Sequence, residues 1–526
     1  VKRLQADVVV IGGGSTGLGV VRDAAMRGYK AVLVERDDLA VGTTGRFHGL
    51  LHSGGRYVVS DPQSARECSL ENEVLRRIQP GAIEDTGGFF VSLPGDDPAF
   101  VDQFLAGAKE TGVPAREISV GEALRREPRL NPGIQRAVEV RDGSIDGWQL
   151  VWGAARSARE HGGEVLTYHR VTRIERSGSR VAAVICRDTK HHDNVTIDCN
   201  FVLNCGGPWA GQITMMAGCD PVQVVPGRGI MLAMNHRLVN TVVNRCVYPT
   251  DGDILVPAHT VSIIGTTDTR AQDPDDCTIP ADEVQQMLDA GEHMIPGFRR
   301  ARVLRAWAGN RPLIKDPRVS ASDTRHMSRG MAIIDHSEHD GLDGMLTIGG
   351  GKLTTYRLMA EHIVDAMCEK LGDNRPCRTA QEPVPEAHPR IHRVTDRLKE
   401  REARRTVERT LCECELVSES AFVRELAEQP DANLDDVRRQ LRVGMGPCQG
   451  GFCATRAAGV ACSSGHADPE HSTALLRNFL SARWKGIRPI LFGEQVRQTV
   501  LDDWIFTGTL DVNHLPASED PKEEAR

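Results

Sequence analysis

No apolar run in these 526 residues approaches the roughly 18 to 20 needed to span a bilayer. The opening apolar stretch, Val8–Ile11, stops at glycines instead of extending as the core of a secretory signal, so a cytoplasmic protein is expected. A basic excess is missing as well. Lys and Arg number 64 against 72 Asp and Glu, a net charge of −8 with no long basic stripe, which excludes nucleic acid as a main partner. Nor is the composition that of a collagen-like, coiled-coil or wholly disordered chain, since 40% of residues are apolar, 26% are charged and 52 are glycine. That balance fits a soluble globular α/β protein, and at about 150 residues per domain the length suggests three to four domains. The 14 cysteines do not imply a disulfide scaffold, because a reducing compartment keeps such thiols free. Cys68, Cys186, Cys199, Cys205, Cys219, Cys246 and Cys368 are scattered among apolar neighbours and read as core thiols.

What the sequence does contain begins at Asp7. The run to Ile11 has strand length, stops at Gly12-Gly13-Gly14-Ser15-Thr16-Gly17, and continues as a helical stretch through Arg27 that Gly28 caps. A second strand, Ala31–Val34, ends in Glu35, 23 positions after Gly12. Strand, Gly-x-Gly-x-x-Gly, helix, strand and acid together predict a dinucleotide-binding unit. Gly12 permits the tight turn, Gly14 lets backbone approach a pyrophosphate, and Gly17 lets helix and sheet pack closely. The helix N-terminus meets the phosphate charge with free N–H groups, and Glu35 accepts hydrogen bonds from an adenosine ribose. This fingerprint alone does not separate FAD from NAD.

Three further glycine-rich segments fit the same surface. Gly42–Tyr57 carries two His, two Arg and a Tyr with little core character, and can press backbone against a flat ring while offering polar side chains. The strand Phe201–Leu203 runs into Asn204–Ala210, which includes Gly206. The strand Met345–Ile348 runs into Gly349–Arg357 and then a helix whose N-terminus faces something anionic or polarised.

Four stretches carry a resemblance: IGGGSTGLGVVRDAAMRG from Ile11, TTGRFHGLLHSGGRY from Thr43, AGNRPL from Ala308 and GGKLTTYRLMA from Gly350. Together they resemble FAD-dependent glycerol-3-phosphate dehydrogenases over roughly residues 6–510, the last stretch being the most specific. With the cysteine-bearing C-terminus added, the chain is most similar to the anaerobic catalytic A subunits. It departs from the family's first signature at Leu18, where a small residue is usual, and at Val21, where alanine is. The resemblance implies oxidation of sn-glycerol 3-phosphate to glycerone phosphate by hydride transfer to flavin N5. It places Thr43, Thr44, Val171, Gly206, Gly350, Lys352, Leu353 and Thr354 with Gly12, Gly14, Gly17 and Glu35 at the FAD. His52 is then expected close to the flavin, and Arg56, Tyr57, Arg311 and Arg329 at the substrate.

Chemistry supports that carry-over. A small phosphorylated dianion calls for planar, permanently charged forks such as Arg56, Arg311 and Arg329. Oxidising a secondary alcohol calls for a group that takes the hydroxyl proton. His52 is the favoured base and Lys352, with a depressed pKa, its rival. The resemblance further implies quinone as downstream acceptor, reached through a flavoprotein B subunit with an iron–sulfur membrane-anchoring C subunit. Attachment would be peripheral, at the cytoplasmic face of the inner membrane.

The expected fold is a Rossmann-like, doubly wound α/β FAD-binding domain with an inserted β-meander at Val165–Glu175, Arg180–Arg187 and Val195–Leu203, preceded by a helix from Trp148. The FAD-binding domain is placed at 1–221 and 324–375, and an α+β substrate-binding domain at 222–323. Residues 376–408 read as a linker, with four prolines between Pro376 and Pro389. A small helical cysteine domain follows at 409–465, then a helical extension at 466–512 and a tail at 513–526 whose charged end, Ser518–Arg526, is expected to be disordered.

Cys412-Glu-Cys414, 33 residues, then Cys448-Gln-Gly-Gly-Phe-Cys453 form the last motif. Four thiolates suit Zn²⁺ or a [2Fe–2S] cluster. Zinc ribbons more commonly use C-x2-C pairs, and the spacing here resembles bacterioferritin-associated-ferredoxin-like [2Fe–2S] domains, so the cluster is favoured. Gly444, Gly446, Gly450 and Gly451 are expected to bring N–H groups near the second pair. Two other readings stand beside this one: a flavin enzyme acting on another small hydroxy or amino acid, and a non-catalytic flavin and iron–sulfur redox module.

Overall fold

The computed structural model describes residues 2–316, 330–385, 394–405, 407–509 and 511–514. A six-stranded sheet runs Glu164–Leu166, Ala31–Val34, Val8–Ile11, Phe201–Asn204, Met345–Gly350, Met331–Asp335. The first five strands are parallel and the last antiparallel. Val8–Ile11 is an unbroken apolar run because both faces of this sheet are covered. Val8, Val10, Leu33 and Leu203 pack under the helices Ser15–Met26, Gly147–Glu160 and Tyr356–Leu371. Val9, Ile11, Val32 and Val202 point the other way, against the antiparallel meander His169–Ser177, Arg180–Asp188, Asn194–Asp198. Leu18 and Val21, the two departures from the family signature, are fully buried in the first of these cores.

The second large sheet joins Val224–Met234, Val242–Arg245, Ile254–Ala258, Val261–Gly265 and Val303–Ile314 to strands from far earlier in the chain. Gly88–Ser92 pairs in parallel with Val242–Arg245, and Arg136–Val140 and Ala115–Ile118 extend the sheet from there. The expected boundary at residue 221 therefore divides the chain wrongly, since the stretch from Gly88 to Val140 builds the second sheet. Its physical cause is nonlocal: Phe89 and Val91 share a core with Ile230, Leu232 and Leu255. Local sequence patterning carries no sign of such a partner.

In the C-terminal part a short hairpin, Thr410–Cys412 with Val417–Ser418, and the helices Glu419–Glu428, Leu434–Leu441, Cys453–Ser463 and Pro469–Ile487 enclose one core. Leu475, Leu476 and Phe479 belong to that core, so no boundary falls at residue 466. The expected linker is also more than a spacer. The carbonyls of Thr379 and Glu382 accept from buried Arg22, and Val384 N–H donates to the carbonyl of Ile78. Further on, Arg397 of the helix Val394–Arg404 bonds His259 and Glu415. Two arginines bolt this part to the rest: Arg439 donates to Asp38 at 2.7 Å and Arg442 to Asp146 at 3.1 Å. Asp146 also caps the helix Gly147–Glu160. The charged end Ser518–Arg526 lies outside the described residues. Among the described residues no helix is long and apolar enough to cross a membrane.

Candidate active site and cysteine centre

A cavity of about 520 Å³ opens where the parallel strands end, at Ile11, Val34, Cys205 and Gly350. This is where ligands sit in open α/β sheets. Gly12 has φ +115°, and a Cβ there would lie 2.6 Å from the Cys205 carbonyl oxygen. A Cβ on Gly17 would lie 1.9 Å from the oxygen of Gly12, so the helix can start this close to the strand only with glycine at both places. Ser15 N–H, in the first turn of Ser15–Met26, donates to Thr44 Oγ1 at 3.0 Å, while Thr43 Oγ1 donates to the Asn310 carbonyl at 2.6 Å. Those bonds hold the glycine-rich loop over the helix N-terminus.

Glu35 accepts N–H bonds from Gly13 at 2.6 Å and Asp37 at 3.0 Å. Desolvation raises its carboxyl pKa, and the two N–H groups oppose that rise. Val171, Gly206 and Leu353 line the same cavity. An anionic, partly flat ligand fits the glycine cradle, the helix N-terminus and the acid at the far strand, which is the arrangement that holds a dinucleotide such as FAD. Gly17 stands behind the turn rather than at the cavity wall. Thr354, expected to touch the flavin, is fully buried; its Oγ1 accepts from the backbone N–H of His52 at 3.2 Å, which supports the His52 loop from behind.

The other end of the cavity collects cations. Arg56 donates to Asp253 at 2.7 Å. Arg311 donates to Asp268 at 2.9 Å, to the Thr267 carbonyl at 3.1 Å and to Thr266 Oγ1. Lys352 donates to Ser64 Oγ at 2.7 Å and lies 4.6 Å from the centre of the Tyr57 ring. The His52 ring packs 5.3 Å from Tyr57 and 6.1 Å from His48. His52, Arg56, Tyr57, Arg311 and Lys352, spread over some 300 residues of sequence, thus line one cavity. Arg329 lies outside the described residues.

Sequence reasoning counted Arg46 and His48 in the Gly42–Tyr57 loop without giving either a role and did not name Asp251 or Asp268; all four line the cavity. Arg46 and His48 sit inside the glycine-rich loop and carried a usable signal. Asp251 and Asp268 lie in stretches with no local motif and come to the site only through the second sheet. Burial raises the carboxyl of Asp251, which accepts from Gln286 at 3.1 Å.

In the C-terminal core the four motif thiols are neighbours, with Cys412 beside Cys453, Cys453 beside Cys448 and Cys448 beside Cys414, each pair close enough to perturb the other's ionisation. Backbone N–H groups of Gly444 and Glu415 point at Cys412, and those of Gly450 and Phe452 at Cys448. Thiol and N–H donors push both of these acceptors down in pKa, while the thiols that donate, Cys414 and Cys453, go up.

The expectation that four glycines serve the second cysteine pair needs correcting. Gly444 serves the first pair, and Gly446 and Gly451 supply room. A Cβ on Gly446 would lie 2.3 Å from Cys414 Cβ, and one on Gly451 2.5 Å from Asp502 Oδ1. Four neighbouring thiols with N–H donors on the sulfurs suit the wider sulfur spacing of an iron–sulfur centre. Arg483 supports the fit: it is 3% exposed, lies within Coulombic reach of Cys453, and its Nε and Nη1 have no hydrogen-bond partner among the described residues. A buried cation left in this state suits a negatively charged group beside it.

Residues 7–365 match the family described as DAO, FAD dependent oxidoreductase. The chain is 42% identical over 531 residues to the A subunit of the anaerobic glycerol-3-phosphate dehydrogenase of Escherichia coli (strain K12), covering 96% of each chain. It is 41% identical over 542 residues to the A1 subunit of the anaerobic glycerol-3-phosphate dehydrogenase of Haloferax volcanii, covering 98% of this chain and 92% of that one. Among solved structures it is similar to the glycerol-3-phosphate dehydrogenase from Bacillus halodurans complexed with FAD. There the TM-score is 0.62 at 22% identity, over 93% of this chain and 96% of that one.

Proposed function

The chain belongs to the FAD-dependent oxidoreductase family, and from that premise we propose that it oxidises sn-glycerol 3-phosphate to glycerone phosphate as the catalytic A subunit of an anaerobic, quinone-linked glycerol-3-phosphate dehydrogenase. The observation that carries this reading is that Arg56, Arg311, Lys352 and His52 all line the dinucleotide cavity. The two guanidinium forks pair with the phosphate of a small dianion and fix its carbon skeleton. Asp253 and Asp268 keep Arg56 and Arg311 aimed before substrate arrives. FAD, when bound, supplies the acceptor for the hydride that leaves C2. His52 takes the hydroxyl proton, so that the C2–O bond becomes the ketone as the C2–H bond breaks. Lys352, tied to Ser64 and stacked on Tyr57, orients the substrate oxygen.

Cys412, Cys414, Cys448 and Cys453 hold a [2Fe–2S] cluster, which supplies a one-electron exit. The relatives are named as one subunit of a larger enzyme, which supports assembly into a heteromeric complex. A flavoprotein B subunit, with an iron–sulfur anchoring C subunit, would carry electrons on to quinone and attach the chain to the cytoplasmic face of the membrane.

An anaerobic visible spectrum of the purified chain, before and after stoichiometric glycerol 3-phosphate, tests the substrate and the electron route together. Bleaching of the oxidised-flavin band with partial loss of iron–sulfur absorption is expected. An unchanged flavin band that another small hydroxy or amino acid bleaches would overturn the substrate and leave the fold standing.

A further inference from the structure

The cysteine centre is surrounded by more positive charge than its own backbone needs. Arg302 comes from the edge of the second sheet, beside Val303–Ile314, and reaches across to the cysteine loop. Its guanidinium donates to the carbonyl of Pro447 at 2.7 Å, next to Cys448, and also binds Asn235 at 3.1 Å and Gln495 at 3.1 Å. It lies within Coulombic reach of both Cys448 and Cys414. Arg483, on the helix Pro469–Ile487, binds the side chain of Gln449 on the other flank of Cys448. Gln449 in turn donates to the carbonyls of Met445 and Gly446, each at 3.0 Å, so the guanidinium is fixed to the loop that carries the second cysteine pair.

Behind Arg483 stand Arg305 and Arg438. The carboxylates facing these groups are Asp435, Asp502 and Glu494. Asp435 already accepts from Arg438 at 2.7 Å, and Glu494 from Arg497 at 3.2 Å. Asp502 accepts from the neutral amide of Gln498 and from no cation within hydrogen-bonding distance among the described residues. Glu413 and Glu415, beside the first two thiols, are paired with Arg456 and with Arg397 and Arg442, so against the lone charge of Asp502 stand Arg302, Arg305 and Arg483, and the balance is positive. Two N–H-bearing nitrogens of Arg483 and one of Arg305 are buried without a partner among the described residues. Burying such donors unsatisfied is costly unless a permanent negative charge lies close by.

Resting on the reading of the four cysteines as [2Fe–2S] ligands, we propose that Arg302 and Arg483 set the reduction potential of that centre, holding it high enough to accept electrons from the flavin. The physical basis is charge. A four-thiolate [2Fe–2S] centre is anionic when oxidised and gains one more negative charge when it takes an electron, so fixed cations in a low-dielectric setting favour the reduced state. Both arginines act through space on the centre without ligating it, and both are tethered to the loop that carries Cys448. The loop and the charge that tunes it therefore keep one geometry. Arg302 also belongs to the substrate-binding sheet, so docking of the cysteine domain brings half of this charge to the centre.

The test is a potentiometric titration of the anaerobically purified full-length holoprotein, followed by electron paramagnetic resonance of the reduced cluster. It compares the unaltered protein with Arg302→Gln, Arg483→Gln and Arg483→Lys. Each Gln variant is expected to lower the midpoint so that the reduction equilibrium falls about tenfold, about 59 mV for one electron. Arg483→Lys, which keeps the charge, is expected to stay near the unaltered value. Gln variants with unchanged midpoints, full iron content and an unaltered resonance spectrum would overturn the proposal. If Arg483→Gln fails to fold, Arg302→Gln decides alone, because its shift or lack of shift is read on an intact centre. Protein isolated with zinc and no iron, or with neither, would instead overturn the cluster reading, and this proposal with it.

Discussion

The two chemical centres of this molecule treat positive charge in opposite ways. At the cavity, Arg56 and Arg311 each have a carboxylate partner, Asp253 and Asp268. Around the cysteines, Arg483 is buried with two of its nitrogens unpartnered among the described residues. A site whose ligand comes and goes must keep its cations aimed and solvated or paired between turnovers, and on the proposed reading Asp253 and Asp268 stand in for the substrate phosphate. On the proposed reading, a site built around a resident anionic cluster has no such interval, because the cluster itself would be the counter-charge to Arg483.

The difference can be broken or sharpened by mutation, the largest effect coming from the cysteines. Cys448→Ser is expected to remove essentially all iron–sulfur absorption while flavin still bleaches with glycerol 3-phosphate, as read by metal analysis and anaerobic spectra of one preparation. Loss of flavin in the same variant would mean that the two centres are not separable. Next comes Arg311→Ala. Removing one partner of a charge pair to the substrate costs about 2–5 kcal/mol, so kcat/KM for glycerol 3-phosphate should fall by roughly 30-fold to 5,000-fold with FAD content unchanged. Steady-state kinetics on the loaded enzyme read this directly.

The bolt between the centres gives a pH signature. Asp38 is buried near Asp436 and Arg439, and desolvation, with Asp436 in support, pushes its carboxyl up to about 6 against the pull of Arg439. A raised folded-state pKa means that the folded state binds more protons than the unfolded one between about pH 4 and pH 6. Asp38 therefore contributes a loss of stability as pH rises through that window, and Asp38→Asn should flatten that part of the profile in denaturant titrations at successive pH values. The smallest effect belongs to the exposed pair Arg497 and Glu494, whose side chains are 80% and 60% exposed. Arg497→Ala should shift unfolding by no more than about 0.5 kcal/mol.

Much of the cavity was legible because its signals are local. Gly12, Gly17 and Glu35 fall within one strand–turn–helix–strand unit, where steric demand on each residue shows up as residue type at fixed spacing. Arg56, Lys352 and Arg311 became legible through family resemblance, since an arginine by itself does not reveal where its fork points. At Thr354 the structure adds a role that the motif does not carry, its side chain bracing the back of the His52 loop. The strands Gly88–Ser92, Ala115–Ile118 and Arg136–Val140 were not legible as part of the second sheet, because pairing partners some 150 residues away leave no mark on local periodicity.

By itself the sequence determined the parallel-sheet dinucleotide unit, the glycine-rich loops around it and the four thiols of the last motif. Each of these is a demand that backbone sterics or ligand chemistry places on neighbouring residues. The tertiary structure alone decided which carboxylates hold the cavity arginines, that the Gly88–Val140 stretch joins the second sheet, and that Arg302 and Arg483 flank Cys448 from different parts of the chain. Charge acts through space and packing acts across the whole fold, so these relations exist only once distant segments have been brought together.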